Sequence, residues 1–235
     1  MDTPQAPKQR PAWLYVLLGC GGLAALLCLG GMIFVGVIAK AGKDVVDGVN
    51  DPEARQKNAL KQLGELPEGY VVVASMSMFG AVQTTVLTDS EQLPDGGYNL
   101  GTGHVFKYFR VMANDGNKAS KDFLQGKEAD ARALRNNGIN IDAKDIVKRG
   151  QLTIDGRKHS YVAARSKMPN GQGGVESSLD TSILFECPGE QLQVGVWTQL
   201  DPAPEKTAEE LDLAGTVADE AQLVKFLKPM NPCGK

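Results

Sequence analysis

The sequence predicts an α+β domain held at a membrane by one N-terminal transmembrane helix, and three observations predict it. Residues 12–38 contain no charged side chain. Behind them, short runs of alternating apolar and polar residues follow one another across turns rich in Gly, Pro, Asp and Asn. Segments of helical composition stand before, between and after these runs instead of alternating with them. Strands joined by short turns are antiparallel, and helices gathered beside such a sheet make an α+β domain. An antiparallel sheet of about six or seven strands is expected, with a C-terminal helix packed across one face.

The anchor comes first. A helix of roughly 20 apolar residues crosses a hydrocarbon core of about 30 Å, and the run at 12–38 is long enough. A cleaved signal peptide has an apolar core of roughly 7–15 residues and a small-residue cleavage site; this run is longer, and no such site precedes Lys40. Residues 1–11 therefore read as a short cytoplasmic tail, 12–39 as a retained signal anchor, 40–51 as a stalk and 52–235 as an exported domain. Leu17-Leu18-Gly19-Cys20 looks like a lipobox. Cleavage there would leave a second apolar run, 21–39, directly behind the lipid, so the retained anchor is the reading adopted. Lys8 and Arg10 before the span balance Lys40 and Lys43 after it, so the positive-inside rule leaves the free amine to favour the N-terminus inside. Within the span, Cys20, Ala24 and Cys28 recur every four residues, and Gly21 and Ala25 form a second small pair. Such spacing lets two helices approach closely, which makes these five residues candidates for self-association, against the plainer reading that Gly and Ala are common in transmembrane helices.

The elements of the domain follow in order. Asp51-Pro52-Glu53 starts a helix, with Asp as cap, Pro at the first helical position and an acid in the first turn. It runs to about Leu63 and stops at Gly64. Residues 70–79 alternate, with Val72, Ala74, Met76 and Met78 on one face, and read as a half-buried strand. Residues 81–88 pair with it as a hairpin. Residues 90–103 are a loop dense in Gly and Pro, and 104–112 resume as a strand. Residues 117–137 are helical in composition, broken at Gly126 and stopped at Gly138. Residues 151–154 and 157–164 flank Asp155-Gly156, a strong short hairpin signal. Further strands are expected at 181–186 and 191–199, closed by Pro202 and Pro204. Thr207-Ala208-Glu209-Glu210 has the form of a capping box. Behind it Leu211, Ala214, Val217, Ala218, Ala221, Val224 and Phe226 or Leu227 mostly follow the spacing of a buried helical stripe, with Gly215-Thr216 as a candidate break into two pieces.

Composition excludes some partners. The first 50 residues carry four Lys/Arg against three Asp/Glu and the whole chain is −3, so residues 51–235 sum to −4. A nucleic-acid footprint would be a basic patch, and none is expected. The 42% of hydrophobic residues suffices for a core. Two of the four cysteines lie in the span. The other two, Cys187 beside Pro188-Gly189 and Cys233 in the tail, are an even pair, and a disulfide between them suits an oxidising compartment.

No motif carries catalytic spacing. Neither His104 nor His159 has a second His or Cys within five residues, so zinc chemistry has no anchor; both histidines read as exposed polar residues. No G-x-S-x-G elbow exists. The loop from Gly96 to Gly103 opens a strand and not a helix, which a phosphate cradle requires. Met76 and Met78 read as core, not as thioether ligands. Gly69-Tyr70 and Trp197 are candidate pocket residues, though single aromatics on strands are ordinarily core or edge. The Arg157-Lys158-His159 triplet reads as a solvated hairpin tip. The layout, a glycine-rich span followed by one small α+β domain, is similar to that of many bacterial envelope proteins. The function expected is an exported domain that binds a partner or ligand without catalysis and without a cofactor. The alternatives are an envelope subunit self-associating through its anchor and a membrane-tethered hydrolase with scattered residues.

Overall fold

Seven strands form one antiparallel sheet in the order β1-β2-β3-β7-β6-β5-β4. The computed structural model describes residues 51–78, 82–92, 103–112, 115–127, 141–169, 174–189 and 191–234. In chain order the elements are α1 (Pro52–Leu63), β1 (Val71–Met78), β2 (Val82–Thr88), β3 (Val105–Val111), α2 (Asp115–Leu124), a 3₁₀ turn (Ala143–Asp145), β4 (Ile146–Ile154), β5 (Arg157–Pro169), β6 (Val175–Phe185), β7 (Leu192–Leu200) and α3 (Glu220–Leu227). This is a single α+β domain. The tail 1–11, the anchor 12–39, the stalk up to Asn50, and with them the set Cys20, Gly21, Ala24, Ala25 and Cys28, lie outside the described residues. Among the described residues no helix is long and apolar enough to cross a membrane.

Local chemistry sets the element ends. Asp51 Oδ1 accepts from the backbone N–H of Glu53 (2.9 Å) and Ala54 (3.4 Å), satisfying two of the donors that a helix start leaves open. Gly64 ends α1 at φ +80°, where a side chain is strained. Asp155 and Gly156 both take positive φ, 50° and 76°, the signature of the tight turn whose twist matches a hairpin. The sheet is two meanders, β1-β2-β3 and β4-β5-β6-β7, joined where β3 pairs with β7. At that seam Gly195 lies opposite Tyr108. A Cβ there would fall 2.4 Å from the Phe106 ring, so only glycine lets the ring lie against the strand.

The sheet separates two cores. Phe106, Tyr108, Tyr161, Leu179, Ile183 and Trp197 face one, closed by Leu63 of α1 and by Leu223, Phe226 and Leu227 of α3. Val162, Ala164, Leu184, Leu192 and Val194 face the other, closed by Phe123 and Leu124 of α2 and by Ile141. Alternation along each strand thus feeds both.

Three sequence expectations are corrected. First, β1 does not keep one simple alternation. A bulge between Val72 and Ala74 inserts a residue and flips the phase. Ser75 is consequently buried on the same side as Val72, bonded to Thr85 at 2.8 Å, and Gln62 of α1 completes the cluster. Second, His159 is 7% exposed instead of solvated. The hairpin register sets it opposite Leu152, and its ring meets Phe185 edge-on at 5.5 Å.

Third, the C-terminal helix begins at Glu220 and not behind the capping box. The Thr207 N–H does donate to Glu210 Oε2 at 3.1 Å, yet residues 207–218 run as turns. The reason is competition for backbone groups. Val217 donates its N–H to the Gln199 side chain (2.8 Å) and accepts at its carbonyl from Thr181 Oγ1 (2.7 Å). Both bonds tie Val217 to the sheet, so neither group serves a helix. Asp219 then caps α3 by accepting from the Ala221 N–H at 2.9 Å. The new start shifts the helical phase: Leu223, Phe226 and Leu227 are buried, and Val224 is 37% exposed.

Candidate functional site

The hairpin register of β2 and β3 builds the floor of a cleft. Thr88 pairs with Val105, so Asp89 and His104 face each other just beyond the ladder. His104 donates its backbone N–H to Asp89 Oδ1 at 2.5 Å, and its Nδ1 lies 2.8 Å from Asp89 Oδ2. Gly103 makes this approach possible: a Cβ there would meet Ser90 Oγ at 2.4 Å and Asp89 Oδ1 at 2.7 Å. One strand over, Trp197 of β7 pairs with Phe106. Its ring lies between Phe226 of α3, stacked at 4.2 Å and 8°, and His104 at 5.4 Å. Tyr70 follows the turn after α1, packs on Phe226 at 5.0 Å, and accepts from Trp197 Nε1 at 2.9 Å through its hydroxyl.

These residues open onto a cleft of about 870 Å³, walled by the turn at Glu65, Leu66, Pro67 and Glu68 and by Gln222, Lys225 and Lys228 at α3. That volume lies in the range of small-molecule pockets, and an apolar lining with a few convergent polar groups is their usual make-up. Burial, and then the charge of Asp89, pushes the Tyr70 phenol up, so it stays an O–H. Among the described residues no Ser, Thr or Cys side chain bonds the His104 ring, and no group of three or more His, Cys, Asp or Glu is placed to hold a metal.

The other candidates lie elsewhere. His159 lines a second cavity of about 530 Å³ beside the C-terminal tail, with Arg157, Asn231 and Cys233. Burial pushes its imidazole down, opposed by Glu186. Arg157 is not a free hairpin tip, because it donates to Asn231 Oδ1 at 2.6 Å. Cys187 and Cys233 are joined, with Sγ atoms 2.00 Å and Cα atoms 5.1 Å apart. Met76 is half-buried, the Met78 side chain lies outside the described residues, and of the loop 96–103 only Gly103 is described. A further titratable group, Asp180 on β6, lies opposite Thr198 on β7, and burial pushes its carboxyl up.

The chain matches no family model, no curated protein and no solved structure.

The cleft brings together Tyr70, Trp197 and His104, which the sequence scatters. Asp89 carries no sequence motif. Its only signal is register: a hairpin whose strands end at Thr88 and begin at Val105 must bring their flanking residues together.

Proposed function

We propose that this is a single-pass membrane protein whose exported domain binds a small ligand in the cleft between Tyr70, His104 and α3, without chemistry. The tether and the exported orientation rest on the uncharged run at 12–38 and on the paired domain cysteines. The observation that carries the binding site is the bonded floor, in which Trp197 holds Tyr70, Asp89 holds His104, and the His104 and Trp197 rings meet at 5.4 Å. A site held this way is pre-organised, so little ordering cost falls on binding. Gln222→Trp, placed at the cleft wall, tests it. Native mass spectrometry of the full chain extracted from its own membrane is expected to show a bound small molecule that the variant lacks at unchanged melting temperature. Identical spectra overturn the reading.

The Asp89–His104 pair favours a second reading, a hydrolase in which His104 acts as general base. Such an enzyme needs a nucleophile within reach of Nε2. Turnover of an ester panel, abolished by His104→Gln, decides for it.

A further inference from the structure

The floor of the cleft also bears on what its ligand carries, an inference that rests on the cleft being the binding site. Two hydrogen-bonded pairs lie there. An indole N–H only donates, so the Tyr70 oxygen accepts from Trp197. Asp89 accepts the His104 backbone N–H and faces His104 Nδ1 at 2.8 Å. An ionised carboxylate only accepts, so beside Asp89 the Nδ1 position carries the hydrogen. Among the described residues no hydrogen bond reaches His104 Nε2. The His104 side chain is 32% exposed and lines the cleft.

With Nδ1 fixed, Nε2 is an acceptor on a neutral ring and a donor on an imidazolium. The charged groups around the cleft are Asp89 in the floor, Glu65 and Glu68 on the turn after α1, and Lys225 and Lys228 at α3, with the neutral Tyr70 phenol beside them. Neither lysine takes part in an ion pair among the described residues. The geometry points to an organic oxyanion with an apolar body as the ligand class. One oxygen accepts from Nε2–H of protonated His104, Lys225 supplies a second cation, and the body lies against Tyr70 and Leu66. Glu65 and Glu68 oppose an anion on their side, which places the ligand's charge toward α3. Charge-assisted hydrogen bonds of this kind are about twice as strong as neutral ones, and imidazole changes charge between pH 5 and 8.

Two probes of one shape test this: 3-phenylpropionate and its neutral amide, titrated calorimetrically into the detergent-extracted full chain at pH 6 and pH 8. The acid is expected to bind at least tenfold tighter than the amide at pH 6 and to lose most of that advantage at pH 8. Its binding is expected to move the His104 imidazole resonances, which are separable because the chain has two histidines and His159→Gln identifies the other. His104→Gln should keep only a small preference for the acid, the same at pH 6 and pH 8. Lys225→Gln, on an exposed helical position, should weaken the acid about threefold at both pH values without disturbing the floor. Equal binding of both probes at pH 6, with His104 still shifted, overturns the oxyanion and leaves the cleft standing. An amide that binds better as pH rises also overturns it, since Nε2 then acts as acceptor. If neither probe binds or shifts His104 at millimolar concentration, this inference and the cleft reading fall together.

Discussion

At the scale of single residues, burial follows register more closely than residue type. Arg157-Lys158-His159 reads as a polar tip, yet alternation inward from Tyr161 sends His159 to the core side, opposite Leu152. The strand period was legible; what it packs against was not. A consequence appears with pH. The folded-state pKa of His159 is depressed by burial, so the unfolded chain binds the proton more readily. His159 thus contributes stability that is fully present above the ordinary imidazole value of about 6.5 and is lost as pH falls through the folded value. Melting temperatures at pH 7.5 and pH 5 are expected to differ more for the parent than for His159→Gln. The α3 phase gives a second test. Leu223 is fully buried and Val224 is exposed. Leu223→Asp should cost about 4 kcal/mol or prevent folding, as a buried unpaired charge does. Val224→Asp should stay within about 0.5 kcal/mol in urea unfolding.

At the scale of elements, α1 and the 155–156 hairpin were legible because their signals are local: a cap, a proline, a glycine, a turn. The segment 201–219 was not, because long-range bonds decide it. Arg165 of β5 reaches across to this segment. Its Nε lies 2.9 Å from Asp201 Oδ2, whose side chain is fully buried, and it also donates to the carbonyls of Ala203 and Lys206. One guanidinium therefore fixes the turn from which Val217 and α3 are hung. Removing one partner of a buried pair leaves the other uncompensated. Arg165→Leu is expected to destabilise by about 3 kcal/mol, read as a lower urea midpoint at unchanged slope. The cleft's α3 wall should loosen with it, seen as faster amide exchange at 220–227 than at β5 or β6.

At the scale of the whole molecule, the antiparallel class and the strand number were legible from turn spacing, but the order was not. Nothing local says that β3 pairs with β7. That pairing joins the meanders and sets Trp197 beside His104, so the candidate site was illegible for the same reason. The link from Cys187 to Cys233, 46 residues apart in sequence, is worth roughly 2–4 kcal/mol by chain-entropy arguments. Protein isolated unreduced and alkylated should show neither domain cysteine modified, and a reductant should lower its melting temperature. A reporter active only in the exported compartment, fused after Lys235, is expected to be active; activity of a cytoplasm-only reporter there would reverse the orientation.

The helix α1 has a role beyond closing a core. The first strand of the sheet reads Val-Val-Val-Ala-Ser-Met-Ser-Met, without charge or proline, and it stands at the end of the strand order. Uncharged terminal strands are templates for adding a strand from another chain. Here Arg55 donates to the Val73 carbonyl at 2.9 Å and Gln62 to the Met76 carbonyl at 3.1 Å. Two side chains of one helix thus occupy backbone acceptors that a foreign strand would seek. A fragment beginning at Asp51 keeps that guard and should remain monomeric in solution. A fragment beginning at Gly69 loses it, and its growth into thioflavin-positive fibres would show that the twelve residues of α1 stand between this fold and polymerisation.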